Sequence, residues 1–593
     1  MDRGNISMVM KKIFSISMQN KKLNSTSPSL FGLLRRYAGI IILLVVLTIV
    51  ANALSVAVPK IIALAIDTYA KGNFLMVKLA GEFSLVAVGI FVFTYLQNVV
   101  QVLASERVAR DLRNDIMAKI SVQPFAYLEK ITPAKLLTNL TSDVDAVKTF
   151  VSMAISSLVA SAFLIGAVAV LLLMMDWKLG LAVLAVMPFI ATVIFFVLSK
   201  VRKLFIKSQE AIDWLNKVIS ESILGAALIR LLDSQNAEAE KFLAANTQAK
   251  SVSLKILGLF ASLVPVITFF TNLATLIIVL LGGHFVIVGT MSLGNFTAFN
   301  SYLAILIFPI LIIGFMSNVI AQAQASYGRI LLVLGAPIEK RTGGLKATLR
   351  GEIEVKNVSL EFEGKSVLKD ISFAAKAGDK IAIIGPTAAG KTQLLYLLTG
   401  LLEPTSGEIY FDGKKLETYD KKSLHSQIGF VFQDSALFNL SLRENIAFSD
   451  TVKDENLEKA IATAELSDYV EQLPEKLSTI VSERGTSLSG GQKQRIMLAR
   501  ALALDPKILL LDDFTARVDT NTESKILSNI ASSYPSLTLI SVTQKISSIE
   551  HYDQIILLME GELLAKGTHE QLLRSCPEYV QIFESQRSTN QYE

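Results

Sequence analysis

Five stretches of the chain contain no Asp, Glu, Lys or Arg: residues 39–59, 83–105, 149–175, 179–199 and 256–327. A bilayer core needs about 20 apolar residues of helix, so the first four each predict one spanning helix. The fifth is long enough for two, with Gly282, Gly283, Gly289 and Gly294 marking a break, which brings the expected number of spans to six. Connections after the first, third and fifth spans are short (62–81, 176–178 and 282–294), whereas those after the second and fourth run about 45 to 55 residues. The long ones carry Arg107, Arg110, Arg113, Lys119, Lys130, Lys135 and Lys148, then Lys200, Arg202, Lys203, Lys207, Lys217, Arg230 and Lys241. Positive charge collects on the cytoplasmic side, which places both long connections and both termini there. Apolar residues recur at three- and four-residue spacing through 101–120 and 201–223, so these helices should continue well past the bilayer.

After residue 329 the pattern changes. A short linker with Pro337 and Gly343-Gly344 leads into alternating strand and helix patterns. The expected division is a cytoplasmic tail (1–28), a six-helix membrane domain (29–330), a linker (331–350) and an α/β domain (351–593). In fold class this is a membrane α-helical domain plus a cytoplasmic α/β phosphate-loop domain with a helical subdomain. The tail carries Lys11, Lys12, Lys21 and Lys22, and the first apolar run begins too late for an ordinary signal peptide.

Composition narrows the chemistry. Hydrophobic residues make up 51% of the chain and charged residues 18%; the net charge of +5 comes from lysines and arginines flanking spans, not from a basic domain, so no nucleic-acid partner is expected. A single cysteine, Cys576, excludes a disulfide framework, and His284, His425, His551 and His569 show no metal-ligand spacing. No charged side chain lies in a predicted span, so the groups that mark ion relays are missing and the energy for any transport must come from elsewhere. Gln97, Asn98, Gln101, Asn272, Asn300, Gln322 and Gln324 are polar residues within or at the ends of spans, suited to interhelical hydrogen bonds or to a solute-facing surface.

The apolar run 381–384 ends in Gly385-Pro386-Thr387-Ala388-Ala389-Gly390-Lys391-Thr392, followed by Gln393 and a helical pattern. This is G-x-x-x-x-G-K-[ST] in its required strand-to-helix context. Successive backbone N–H groups at such a helix N-terminus cradle phosphates, Lys391 adds positive charge, and the Thr392 hydroxyl suits Mg²⁺. A second apolar strand, 508–511, ends in Asp512-Asp513, placing Asp512 where it can reach the metal. ATP and Mg²⁺ are the expected cofactors.

Leu488-Ser489-Gly490-Gly491-Gln492, opening a helical run to Leu504, resembles the signature motif of the ATP-binding-cassette family. Six spans with long inner connections ahead of the cassette are similar to exporter-type half-transporters, in particular to bacterial heterodimeric multidrug exporters. The resemblance implies that Ser489 to Gln492 close over ATP held by an opposite subunit, that Gln433 is the Q-loop glutamine and a metal contact, and that Asp519 ends the D-loop. It also implies that Phe362 stacks on adenine, a core Phe being the competing reading, and that short helices within 122–137 and 221–232 couple the domains.

Two positions depart from the family pattern. The catalytic glutamate is replaced by Asp513 and the switch histidine by Gln544, a neutral amide. The resemblance therefore implies a multi-pass protein of the bacterial cell membrane whose own ATP site binds but hydrolyses poorly. Its partner would be a second half-transporter with intact Glu and His, and together they would export hydrophobic or amphiphilic molecules. An importer on the same fold, perhaps for siderophores, and a regulatory subunit or nucleotide-gated channel stay open as alternatives.

Overall fold

The computed structural model describes residues 30–72, 76–338, 343–362, 364–434, 436–449, 451–482, 485 and 487–590. The basic tail 1–28 lies outside them. The chain forms two compact units: one contains the long helices up to Pro337, and the other contains the segment Pro124–Lys130 together with everything from Ile338 onward.

Among the described residues six helices are long and apolar enough to cross a membrane: Gly32–Ala70, Val77–Ile120, Pro133–Met175, Trp177–Leu224, Gln235–Ile287 and Leu293–Leu334. All exceed the expected windows, because flanking polar segments keep good helix formers and continue the hydrogen-bond ladder. The first helix passes through Pro59 and ends only at Ala70, so most of the connection expected at 62–81 is helical. The break expected over 282–294 is also narrower. Gly282 closes a π turn at Ile278–Gly282, Gly283 begins the helix Gly283–Ile287, and the chain turns at Gly289 with φ +81°.

Gly282 and Gly294 serve packing. A Cβ on Gly282 would lie 3.1 Å from Phe296 and 3.2 Å from Leu179, and one on Gly294 would lie 2.1 Å from the Ala63 carbonyl. The sixth helix therefore approaches the first closely, and the Gly294 N–H donates to Asp67 at 2.7 Å while the Tyr302 hydroxyl donates to the Val56 carbonyl at 3.0 Å. Gln101 accepts from Ser156 at 2.9 Å, an interhelical bond between the second and third spans. Asp143, buried in the third helix, is held by Asn139 at 2.8 Å and by the fork of Arg329 in the sixth. Removing either partner of such a buried pair costs about 3–5 kcal/mol.

In the second unit, one mixed sheet has the order β5-β4-β1-β2-β10-β9-β3-β8-β7-β6. The strands are β1 Ile353–Phe362, β2 Lys365–Ala375, β3 Lys380–Ile384, β4 Ser406–Phe411, β5 Lys414–Lys415, β6 Ile428–Val431, β7 Ile508–Asp512, β8 Thr538–Val542, β9 Gln554–Met559 and β10 Glu562–Gly567. From β9 to β6 neighbouring strands run parallel, whereas β1, β2 and β4 pair antiparallel. Every residue of β7 and β8 is buried, as in a sheet covered on both faces. Alternation assigns Leu509 and Leu511 to one core and Ile508 and Leu510 to the other. The first core includes short helices at Leu442–Ile446, Asp454–Thr463 and Ser467–Gln472, the helical subdomain.

The short helix Phe125–Lys130 belongs to this second unit. Phe125 packs edge-on against Tyr396, ring centroids 5.2 Å apart, and Tyr396 in turn meets Phe430 and Phe432 at 5.9 and 6.2 Å. A second short helix, Ala226–Leu231, lies in the other expected coupling segment.

Candidate functional site

The phosphate loop hangs between β3 and the helix Lys391–Thr399, and its glycines are dictated by neighbours. Gly390 sits at φ +90°, and a Cβ there would lie 2.6 Å from Leu368 and 2.9 Å from the Val367 carbonyl. Ala388 also holds a left-handed φ, +67°, a conformation that costs a residue with a Cβ about 1 kcal/mol. Pro386, Thr387 and Ala388 are exposed at the tip, Ala389 is buried in the core beneath, and Gln393 is half-buried in the first helical turn. Lys391 Nζ donates to the Gly385 and Pro386 carbonyls at 2.8 and 2.7 Å, folded over the loop.

At the end of β7, Asp512 is buried and Asp513 half-buried, the latter in a left-handed turn (φ +46°) whose N–H donates to the Val542 carbonyl at 3.0 Å. One oxygen of Asp512, Oδ2, is buried without a hydrogen-bond partner, and the Thr392 hydroxyl faces the same carboxylate. An orphaned buried carboxylate oxygen beside a hydroxyl suits a hard divalent cation that keeps several waters, so Thr392 and Asp512 fit Mg²⁺. Gln433, the third residue expected at the metal, is exposed beyond β6, and its carbonyl accepts from Gln494 of the signature helix at 3.3 Å.

Burial pushes the Asp512 carboxyl above its ordinary range, with Asp513 adding to the effect and Thr392 and Lys391 opposing it. Burial raises Asp513 too, against Lys391 and Lys545. It lowers Lys391, against the two carboxylates. Both acids thus bind protons more tightly folded than unfolded, and the stability this gives is lost as pH rises through their folded pKa values. At neutral pH, burial of these two carboxylates opposes folding. Asp512→Asn is therefore expected to raise the melting temperature of nucleotide-free protein slightly while removing the stabilisation by Mg²⁺·ATP. That stabilisation is worth about 2.7 kcal/mol at a hundredfold excess over Kd. Melting curves with and without Mg²⁺·ATP check this, and an unchanged nucleotide shift in the variant would remove Asp512 from the metal site.

The signature residues open the helix Gly490–Leu502, two residues shorter than expected because Asp505 turns left-handed ahead of Pro506. Ser489 and Gln492 form a reciprocal cap: Ser489 Oγ accepts from the Gln492 N–H at 3.2 Å, and Gln492 Oε1 accepts from the Ser489 N–H at 2.8 Å. Gly490 and Gly491 pack against Arg517, a Cβ on Gly490 falling 3.1 Å from the Arg517 side chain. Asp519 caps the next helix, accepting from the Thr522 N–H at 2.9 Å. Phe362 ends β1, half-exposed and in neither core cluster. Among the described residues no hydrogen bond joins the signature segment to Lys391 or Asp512, so the structure groups the expected residues into two sets within one chain.

A further contact has no local signal in the sequence. Gln586, in the C-terminal helix Pro577–Asn590, donates to the Gln544 carbonyl at 2.6 Å and accepts from the Ile546 N–H at 2.9 Å, bracketing the switch loop. Between those bonds Lys545 reaches the Thr515 carbonyl and Glu523, both at 3.4 Å. The Gln544 side chain is exposed. Of the histidines, His425 bonds the Thr399 carbonyl at 2.9 Å and His569 bonds the Tyr579 hydroxyl at 2.7 Å. No cluster of metal-ligating side chains occurs among the described residues. Cys576 is a buried core residue.

Comparison with known proteins matches residues 41–310 to the ABC transporter transmembrane region family and residues 368–516 to the ABC transporter family. The uncharacterized ABC transporter ATP-binding protein YfiB of Bacillus subtilis is 33% identical over 81% of this chain and 84% of its own. The ATP-dependent lipid A-core flippase of Syntrophus aciditrophicus is 28% identical over 83% of each chain. The structure of a bacterial Atm1-family ABC exporter with ATP bound superposes with a TM-score of 0.76 at 24% identity, covering 93% of this chain and 99% of that one. The chain belongs to the ABC transporter family and has the exporter-type fold: six apolar membrane helices and a nucleotide-binding cassette.

Proposed function

We propose that this chain is one half of a heterodimeric, ATP-driven exporter of hydrophobic or amphiphilic molecules. Its own phosphate loop would bind Mg²⁺·ATP and hydrolyse it slowly, and its signature helix would complete a competent site on the partner. The observation that carries this reading is the contrast within one cassette. The signature segment is intact and capped, while the acid after Asp512 is Asp513 and the switch position is Gln544. Shortening Glu to Asp withdraws the carboxylate by about 1.5 Å, and a displacement of about 1 Å can cost a hundredfold in rate. Phosphate, Mg²⁺ and adenine contacts (residues 385–393, Asp512, Gln433 and Phe362) act on binding, which such a change spares. Two impaired sites would make a homodimer ineffective, so the partner supplies Glu and His.

Efflux is favoured over uptake by the exporter fold and by relatives such as the lipid A-core flippase, whose name denotes an amphiphile. Both termini and both long connections would face the cytoplasm, as the lysines and arginines indicate. Inside-out vesicles containing this chain and its partner should accumulate an amphiphilic cationic dye only with hydrolysable ATP and Mg²⁺. Accumulation only in right-side-out vesicles would establish uptake instead.

A further inference from the structure

The charge-free runs of the fourth and fifth spans meet cationic residues at the same boundary. Residues 179–199 are followed at once by Lys200, and residues 256–327 are preceded by Lys255. Lys200, Lys203 and Lys255 from both helices line one shallow, open groove of about 530 Å³ with their alkyl stems, together with Leu204, Gly258 and Leu259. All three lysines are exposed, and among the described residues none forms an ion pair. Of the carboxylates on these helices, Glu221 and Glu238 pair with Lys241 and Glu221 also with Lys217, Asp213 accepts from Gln209, and Glu210 and Glu240 form no ion pair among the described residues. At Gly258 the position of a Cβ has nothing within 4 Å, so the absence of a side chain leaves room.

Topological charge bias accounts for lysines at helix ends. It does not account for three of them, from two helices, laying their stems along one open apolar groove. Phe205, Ile206, Leu254 and Leu257, on the same stretches, are exposed, so this surface is cationic and oily at the level where a bilayer's headgroups begin. A small anion such as inorganic phosphate would satisfy the lysines and leave the apolar lining wet. An acyl chain beside a phosphate headgroup satisfies both.

We propose that this groove takes the first methylenes of an anionic phospholipid of the cytoplasmic leaflet against Leu204, Leu259 and the lysine stems, with its headgroup at the exposed ammonium groups along the rim. Lysines near an anionic surface each contribute roughly fivefold in affinity. The test is native mass spectrometry of the full chain in detergent micelles, titrated with phosphatidylglycerol, phosphatidylcholine or inorganic phosphate. Two triple variants are compared: Lys200→Gln/Lys203→Gln/Lys255→Gln, and the control Arg202→Gln/Lys207→Gln/Lys250→Gln, which removes equal charge from the same helices outside the groove. The expected result is phosphatidylglycerol binding that weakens at least about tenfold in the first triple and within about twofold in the control. Phosphatidylcholine should bind weakly and millimolar phosphate should not compete. Equal losses in the two triples, or phosphatidylcholine binding as well as phosphatidylglycerol, would overturn the site. Displacement of the lipid by millimolar phosphate would show a small-anion site instead and overturn the lipid assignment.

Discussion

Ser489→Arg is expected to abolish most ATP hydrolysis by the assembled transporter, whereas Asp513→Asn should leave at least about half of it. The asymmetry arises because the two residues would serve different ATP molecules. Ser489 opens the signature helix, where N–H groups and the helix dipole would face the γ-phosphate held by the partner. A long cation there blocks the approach and also removes the cap, which by itself is worth about 1 kcal/mol. Ser489→Ala, which loses the cap alone, separates the two effects and should retain substantially more activity than the Arg variant. Asp513, by contrast, would lie beside an ATP that is held more than it is hydrolysed. Steady-state phosphate release per complex measures all three variants. Similar losses from Ser489→Arg and Asp513→Asn would place the working site in this chain.

Phe125→Ala is expected to lower transport by about tenfold while changing nucleotide affinity by less than about twofold. The ring sits edge-on to Tyr396, and Tyr396 touches Phe430 and Phe432, the residues that lead into Gln433. An edge-to-face aromatic pair is worth about 0.5–1.5 kcal/mol beyond its area, and a tenfold effect corresponds to about 1.4 kcal/mol. Losing the ring would therefore loosen the link between this helix and the strand that leads to Gln433 without touching the phosphate loop. Dye accumulation and ATP hydrolysis, measured on the same vesicles, give the ratio of transport to turnover. A fall in that ratio, with recovery in Phe125→Tyr, identifies coupling. Parallel losses of transport, hydrolysis and nucleotide binding would mean that the ring only holds the cassette together.

Much of this arrangement is legible in the sequence because its strongest signals are local. A run without charge reports a span, and a glycine-rich turn between an apolar strand and a helix reports a phosphate site, each within about 20 residues. The glycines after the fifth span were harder to read. Gly282 and Gly294 look like a turn in sequence, but they are there because Phe296, Leu179 and the Ala63 carbonyl come too close for a Cβ. That depends on which helices are neighbours, and no local pattern encodes it. The same holds for Gln586, which reaches back 42 residues to the Gln544 carbonyl, and for Lys255, whose place beside Lys200 follows from the packing of two helices. Asp513 and Gln544 were visible as departures from the family pattern, whereas the left-handed turn at Asp513 and the unpartnered oxygen of Asp512 required the structure.

The most direct test of the central claim is the identity of the nucleotide on this chain during turnover. The assembled transporter would be supplied with Mg²⁺ and a radiolabelled photoreactive ATP analogue, crosslinked by light within the steady state, and separated into its two chains. The nucleotide on each would then be resolved as tri- or diphosphate. The account predicts triphosphate on this chain, retained over many turnovers and lost in Lys391→Ala, and diphosphate on the partner. Diphosphate accumulating on this chain at the rate of overall hydrolysis would contradict it.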